Sequence, residues 1–335
     1  MAEMPTLFIV AESRYLSAGS ASPLDVCSSL DVAVRTDLRH HFSGPLCASY
    51  WVHLCRCLDY GHDRIVGAIE SALPAVATAM RNRFPPPTPL AVLSLGPGDG
   101  EVDVRLLERL RLLLDVSAYR CVDFSFELLE FAVRRIRTSG AAAGLPITAV
   151  CADFGEMDSW PPPGGEASLW LLTGYTLGNL NERLLLANLA RRMQPGDCLL
   201  LDAHLHPFGR LGRDFSEDER RVLVRGYDNP TTNRFAFGPV ETVTTASPEH
   251  VTFVQTVGRL LTTVPGGVNV VIGCEGLDAR MRLTGQPVRH AYLDLCATTL
   301  YDFDALCEWL DASPLELLLA SRHGETGVFL LQNRG

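Results

Sequence analysis

What the chain lacks removes whole classes of function. Basic side chains are in deficit: 29 Lys and Arg stand against 39 Asp and Glu over 335 residues, a net charge of −10. Nucleic-acid backbones are held by concentrated positive charge, and the sequence shows no basic stripe with interleaved aromatics, so no nucleic-acid partner is expected. No apolar run reaches the roughly 18 residues of a membrane span, and no membrane association is expected. No secretory leader is read at the start: residues 1–5 carry Glu3 and no basic residue, and the apolar run 7–10 is broken by Glu12. The ten cysteines include no C-x-x-C pair, which leaves a zinc ribbon or thioredoxin-like site unsupported. Cys121, Cys151 and Cys198 fall instead inside apolar stretches, where free thiols suit a reducing compartment, and a cytoplasmic location is the expectation. No internal repeat or low-complexity tract occurs. Apolar content of 47% with 20% charged residues is that of a globular protein, and the length suffices for a large core with a second lobe.

What is present begins at residue 91. An apolar run, 91–95, reads as a buried parallel strand and leads into Gly96-Pro97-Gly98-Asp99-Gly100. Val104, Leu107, Leu110 and Leu114 follow at helical spacing, and a second strand, 119–122, ends in Asp123. Strand, glycine turn, helix, strand and acid form the grammar of a nucleotide-binding βαβ unit. The glycines let backbone approach a ligand, and the acid can accept from ribose hydroxyls. A dinucleotide fingerprint wants glycine at 101. Glu101 stands there and the third glycine comes one residue early, which disfavours a pyrophosphate and an NAD-dependent reductase. No Gly-Lys-Ser/Thr follows, which excludes a P-loop. An acid at the helix start suits a phosphate-free nucleotide such as S-adenosylmethionine, whose methionine end carries an ammonium and a sulfonium.

Further signals follow where the next strands should end. The stretch 147–151 closes on Ala152-Asp153-Phe154, where an Asp can accept from an adenine amino group with an aromatic packed on the base; a helix N-cap is the competing reading. Residues 167–172 lead to Thr173-Gly174-Tyr175-Thr176-Leu177-Gly178-Asn179, small and polar groups at the strand end where open α/β sheets place ligands. Gly-x-Gly-Asp-Gly, Val-Asp-Phe-Ser, Cys-Ala-Asp-Phe and Gly-Tyr-Thr-Leu-Gly-Asn, in this order and spacing, resemble the histidine-specific methyltransferase family of the ergothioneine pathway. The resemblance is good over roughly 90–208, weaker at the C-terminal end, and faint before 66 and between 209 and 292.

That resemblance implies an α/β class I methyltransferase: a doubly wound, mostly parallel sheet with an antiparallel last strand, plus a smaller α+β substrate lobe. S-adenosyl-L-methionine is the implied cofactor, with Gly96 and Gly98 at the methionine end, Asp123 at the ribose, Asp153 and Phe154 at the adenine, Gly174 near the transferred methyl, and Gly100 and Phe124 as further cofactor-binding residues. Asn179 would orient the amino group of the acceptor, and Tyr60 sits where the family has a substrate-contacting tyrosine. A Glu and a Ser two residues apart hold the imidazole in the family; Cys296 and Thr298 stand at those places. Cysteine cannot replace a carboxylate as an acceptor for an imidazole N–H. Histidine is therefore not the expected acceptor. Methyl transfer to the nitrogen of a small amino acid or amine is expected, in secondary metabolism, by a monomer or weak homo-oligomer. An O- or C-methyltransferase acting on a small natural product, and a non-catalytic S-adenosylmethionine-binding partner protein, are the alternatives.

Other residues are candidates on their own chemistry. Asp202, His204 and His206 alternate at the end of a fifth strand, 198–203, and side chains two apart in a strand share a face. His204 is the candidate for substrate contact and proton acceptance, with ordinary polar residues at a strand exit as the plainer reading. Tyr50, Trp51 and Tyr60 can form an aromatic wall that suits a cation, and Tyr175 is a further substrate-binding candidate. His53, Cys55 and Cys57 are spaced by two on a helix and point to different faces, so no metal is expected.

The organisation expected is an N-terminal arm with the helical part of the substrate lobe (1–87), the cofactor-binding core (88–207), an inserted β-rich substrate lobe (208–290) and a C-terminal segment completing the core sheet (291–335). Residues 36–84 read as helical, with Ile65, Ile69, Leu73 and Val76 as a stripe on the core. Within 208–290 the pattern is a polar helix near 214–227 and strands near 251–261, 268–274 and 281–283. Then follow a strand over 291–298, a helix over 302–311 and a closing strand over 326–332.

Overall fold

A computed structural model describes residues 6–9, 38–57, 61–84, 88–153, 157, 160, 167–209, 214–243, 246–258, 262–276, 282–283, 286–287 and 292–335. In chain order its elements are β1 (Thr6–Ile9), α1 (Gly44–Cys55), α2 (His62–Arg83), β2 (Leu90–Leu95), α3 (Glu101–Leu113), β3 (Val116–Asp123), α4 (Phe126–Ser139), β4 (Ile147–Cys151), β5 (Ala167–Leu172), α5 (Glu182–Arg192) and β6 (Cys198–His204). They continue with α6 (Glu217–Val224), α7 (Pro230–Val243), β7 (Thr252–Gly258), β8 (Val268–Glu275), the two-residue strands β9 (Arg282–Leu283) and β10 (Gln286–Pro287), β11 (Tyr292–Leu300), α8 (Phe303–Asp311), β12 (Leu315–His323) and β13 (Thr326–Asn333).

One sheet organises the core, in the order β1-β4-β3-β2-β5-β6-β13-β12. Pairs from β1 through β6 are parallel; β13 runs antiparallel to β6 and to β12. This is the strand order of a class I methyltransferase with one added edge strand, as the sequence implies. The chain's direction of winding reverses between β2 and β5, so the crevice beyond their carboxyl ends is where a ligand belongs.

Period-two alternation sends neighbouring residues to opposite faces. Val92, Leu169 and Leu171 join Ile65, Ile69, Leu73 and Val76 of α2 with Leu106, Leu107 and Leu110 of α3 on one face. Leu93, Trp170 and Leu172 join Leu185, Leu186 and Leu189 of α5 and Leu306 and Leu310 of α8 on the other. The helical stripe expected from residue 65 onward is thus core.

The lobe boundaries differ from the expected ones. The strand expected over 291–298 does not return to the core sheet. As β11 it pairs antiparallel with β8, and β8 with β7, in a separate three-stranded sheet. The core is completed instead by the β12–β13 hairpin. The insertion also carries two helices, α6 and α7. The second begins at Asn229-Pro230, where the Asn229 side chain caps it by accepting from Thr232 N at 2.9 Å and proline is tolerated in a first helical turn. Of the N-terminal helices, α1 packs on α7, whereas α2 packs on α3 and β13 and so belongs to the core. The insertion leaves and re-enters the core at one place: Leu205 bridges Tyr301, with His206 N donating to Tyr301 O and Tyr301 N to His204 O, each at 2.9 Å.

Candidate active site

The glycine turn is shaped for close approach. Gly96, Gly98 and Gly100 all have positive φ. At Gly98 (φ +57) a Cβ would come 2.9 Å from Trp51 Nε1. At Gly100 a Cβ would strike the Ala132 backbone at 2.8 Å, so glycine there lets α4 pack against the start of α3.

The carboxyl ends of β2 to β5 open on a cleft of about 480 Å³. It is lined by Gly96, Gly98, Asp123, Phe124, Asp153, Gly174 and Asn179, as the sequence places them, and by Arg39 and Phe42 just before α1 and Trp51 within it. Asp123 is buried; its Oδ1 accepts from Ser125 N at 2.9 Å, and burial lifts its pKa to about 7. Asp153 Oδ2 takes the Arg39 guanidinium at 3.0 Å. Among the described residues lining the cleft, Arg39 is the one cation and it is already paired, so no charge is in place for a pyrophosphate. A phosphate-free nucleoside with a ribose at Asp123 fits these residues. Phe154 and Tyr60 lie outside the described residues.

A second chamber, of about 830 Å³, adjoins the first and shares Phe42, Trp51, Gly174 and Asn179 with it. Asn179 stands at the junction. It ends a short 3-10 turn, Thr176–Asn179, that lies hard against β11: a Cβ on Gly178 would come 2.6 Å from Thr299 O. That approach puts Cys296 and Thr298 of β11 in the chamber wall. Tyr175 enters the turn at φ +58, the only non-glycine with positive φ among the described residues. Its N–H donates to the buried Asp202 Oδ1 at 3.2 Å and its hydroxyl meets Thr326 Oγ1 at 2.7 Å. Asp202 is held near pKa 7 by burial.

His204 stacks on Tyr175, ring centroids 4.6 Å apart and 8° from parallel, and its Nδ1 pairs with the Tyr227 hydroxyl at 2.9 Å. Burial first, and then the positive charge of Arg64, pulls its pKa down to about 3, so the imidazole is neutral. The expected convergence of Asp202, His204 and His206 is partial. His206 turns away to the Gly266 carbonyl at 3.0 Å and to Phe208 and Phe215.

The aromatic wall exists with different members. Trp51 packs with Phe42 (5.1 Å) and Phe235 (5.5 Å), and all three line the chamber. Tyr50 lines neither cavity: its hydroxyl donates to Glu241 at 2.8 Å and Arg234 lies over its ring. Sequence spacing could not choose between neighbours 50 and 51, since only the packing of α1 on α7 decides which faces inward. Arg39, Phe42, Arg64, Tyr227 and Phe235 carried no sequence signal; they come from segments far apart in the chain. Cys55 meets neither His53 nor Cys57 but His62 and Asp99, with donor atoms within 4.8 Å. Both Asp99 oxygens are engaged, one by Glu101 N at 3.1 Å and one by Arg135 at 2.8 Å, so a cation would have to displace a guanidinium. Glu101 is likewise ion-paired with Arg135 and lines the second chamber, not the first cleft.

No curated protein matches the chain significantly. Similar solved structures include an S-adenosylmethionine-dependent methyltransferase from Clostridium acetobutylicum (12% identity, 86% of this chain, all of that one, TM-score 0.45). Another is a calicheamicin-pathway amino pentose methyltransferase from Micromonospora echinaspora (15% identity, 78% of this chain, 89% of that one, TM-score 0.39). A family model described as histidine-specific methyltransferase, SAM-dependent, matches residues 66–238, just over half of the chain and spanning the glycine turn, Asp123, Asp153, Asn179 and His204. The chain belongs to this family of S-adenosylmethionine-dependent methyltransferases.

Proposed function

We propose that the enzyme methylates the nitrogen of a small amino acid or amine other than histidine, in the cytoplasm, as part of secondary metabolism. The carrying observation is Asn179, which lines both cavities and so faces cofactor and acceptor together. S-adenosylmethionine supplies an activated methyl on a sulfonium, so the residues of the chain have to bind, orient and keep water out. Placement alone can contribute roughly 7–11 kcal/mol to such a transfer. The Asn179 amide is suited to orient an amine N–H. Neutral His204 can accept a second hydrogen bond, and its low proton affinity keeps it from retaining the proton, which passes on to solvent. The wall of Phe42, Trp51 and Phe235 desolvates the amine, lowering its pKa and favouring the nucleophilic neutral form. Against histidine stands Cys296 in the chamber wall, at the place where the resemblance puts an imidazole-binding carboxylate, since a thiol is a weak acceptor.

Incubating the protein with S-adenosylmethionine and a panel of amino acids and amines, read by mass spectrometry, tests this. Gain of mass in multiples of one methyl on an amine other than histidine is the expected result. Exclusive methylation of histidine, or methylation on oxygen or carbon, would overturn it.

A further inference from the structure

The chamber walls differ in chemistry according to the element that supplies them. The wall from the small sheet is mostly apolar: Val270, Ile272, Cys296 and Leu300 face the space, with the Thr298 hydroxyl the one polar side chain among them. The wall from the start of α2 carries Arg64. Gly61 leaves room for this guanidinium to fold back, since a Cβ there would meet Arg64 Nε at 2.5 Å. Arg64 Nη1 donates to Glu325 Oε2 at 2.5 Å, and both side chains are about half exposed, 49% and 48%. It lines the same chamber as Tyr175, His204 and Tyr227, and its charge acts on all three. Arg56, Arg135 and Arg225 also line the chamber, but Arg135 is committed to the buried Asp99 and to Glu101, and of the four only Arg64 acts on His204, Tyr175 and Tyr227. An exposed ion pair is worth only about 0–1 kcal/mol, so a carboxylate arriving in the chamber can take the place of Glu325 at little loss.

We propose that the acceptor is a neutral α-amino acid with an apolar side chain, its carboxylate on Arg64 in exchange for Glu325, its side chain against Val270, Ile272, Cys296 and Leu300, and its amine at Asn179. This rests on the amine N-methyltransferase reading above. In the transfer the nitrogen lone pair forms the new N–C bond while the S–C bond breaks, sulfur keeps that bonding pair, and the proton of the resulting ammonium leaves to solvent. Bringing a charged side chain to the small-sheet wall would desolvate it without a partner, which selects against acidic and basic amino acids.

The test compares leucine, methionine and phenylalanine with isoamylamine (leucine lacking its carboxylate), histidine and glutamate, by initial rates on the full chain. Leucine-like acids should be used with a KM about tenfold or more below that of isoamylamine, the factor expected for about 1.4 kcal/mol of charge recognition. Arg64→Gln should collapse that KM ratio towards one, and Glu325→Gln should lower the KM for leucine by removing the competing carboxylate. Equal use of isoamylamine and leucine, an unaltered ratio in Arg64→Gln, or preference for histidine or glutamate overturns the proposal. Calorimetry with S-adenosylhomocysteine separates the two layers. Binding of that compound with no amino acid methylated sinks the acceptor assignment alone, whereas no binding at all sinks the methyl-transfer reading beneath it.

Discussion

Asp123 works under opposing demands. In the ribose-binding role proposed for it, it would accept from two hydroxyls in its ionised form, yet burial holds its pKa near 7. A ligand that needs the carboxylate favours ionisation, so affinity for S-adenosylhomocysteine should fall as pH drops below about 7 and level off above it. Calorimetry from pH 5.5 to 8.5 checks the sign; an affinity that rises on acidification contradicts the assignment. Asp123→Ala should weaken the same binding by about 1–3 kcal/mol, the value of lost hydrogen bonds to a charged group. Asn179→Ala should act on turnover instead, lowering kcat by about 10- to 100-fold, through lost orientation, with a smaller change in cofactor affinity. The residues behind these predictions were legible because each sits next to a signature: a glycine turn, or the end of an apolar run. Arg39 and Phe42, which line the same cleft, were not, because nothing local distinguishes a cleft-facing arginine or phenylalanine from any other.

At the scale of the element, two contacts hold the acceptor wall in place. The 3-10 turn and β11 touch through Gly178, where there is no room for a side chain. Gly178→Ala should cost about 1–3 kcal/mol in thermal or denaturant unfolding, since a Cβ there opposes backbone, which cannot swing aside. The second contact is Glu182, at the start of α5. It is fully buried and accepts from Thr262 Oγ1, both N and Oγ1 of Thr263, and the Tyr301 hydroxyl, at 2.7–3.1 Å. Glu182→Ala should strand those donors and destabilise the fold by several kcal/mol, whereas Glu182→Gln, which keeps an acceptor oxygen, should recover part of that loss. The core strands and α2 were readable from periodicity, for their apolar faces repeat cleanly. Tyr292–Leu300 was misassigned because an alternating strand pattern names no partner, and only tertiary pairing shows that β8 and not the core sheet receives it. The strand Leu315–His323 went unassigned at an edge position, where its outer residues alternate less clearly.

Across the whole molecule, all 29 basic side chains are arginine; the sequence contains no lysine. Guanidinium groups keep their charge through the physiological range, so the pH response falls to histidines and carboxylates. Asp123 and Asp202 are raised to about 7 and Asp103 to about 6, in each case by burial. Their unfolded values lie near 3.9, so the folded state binds more protons than the unfolded state between these limits. Their contribution to stability is fully present below about pH 4 and is lost as pH rises through 6 to 7. His204, neutral in the fold down to about pH 3, works the other way as pH rises towards 6.5, but it is one group against three, so on balance the melting temperature should decline from pH 5 to pH 8. Asp202→Asn, which retains an acceptor for the Tyr175 N–H, should flatten that decline; an unchanged slope would count against the burial of this carboxyl as its source.

The meeting of Leu205 with Tyr301 has a consequence for descent as well as for architecture. Because the intervening hundred or so residues depart and rejoin at one pinch point, selection can rewrite them as a cassette while the nucleoside grip stays fixed. Grafts cut at that pinch, carrying α1 and the Glu182 clasp with them, are the natural unit for giving one scaffold a relative's taste in acceptors.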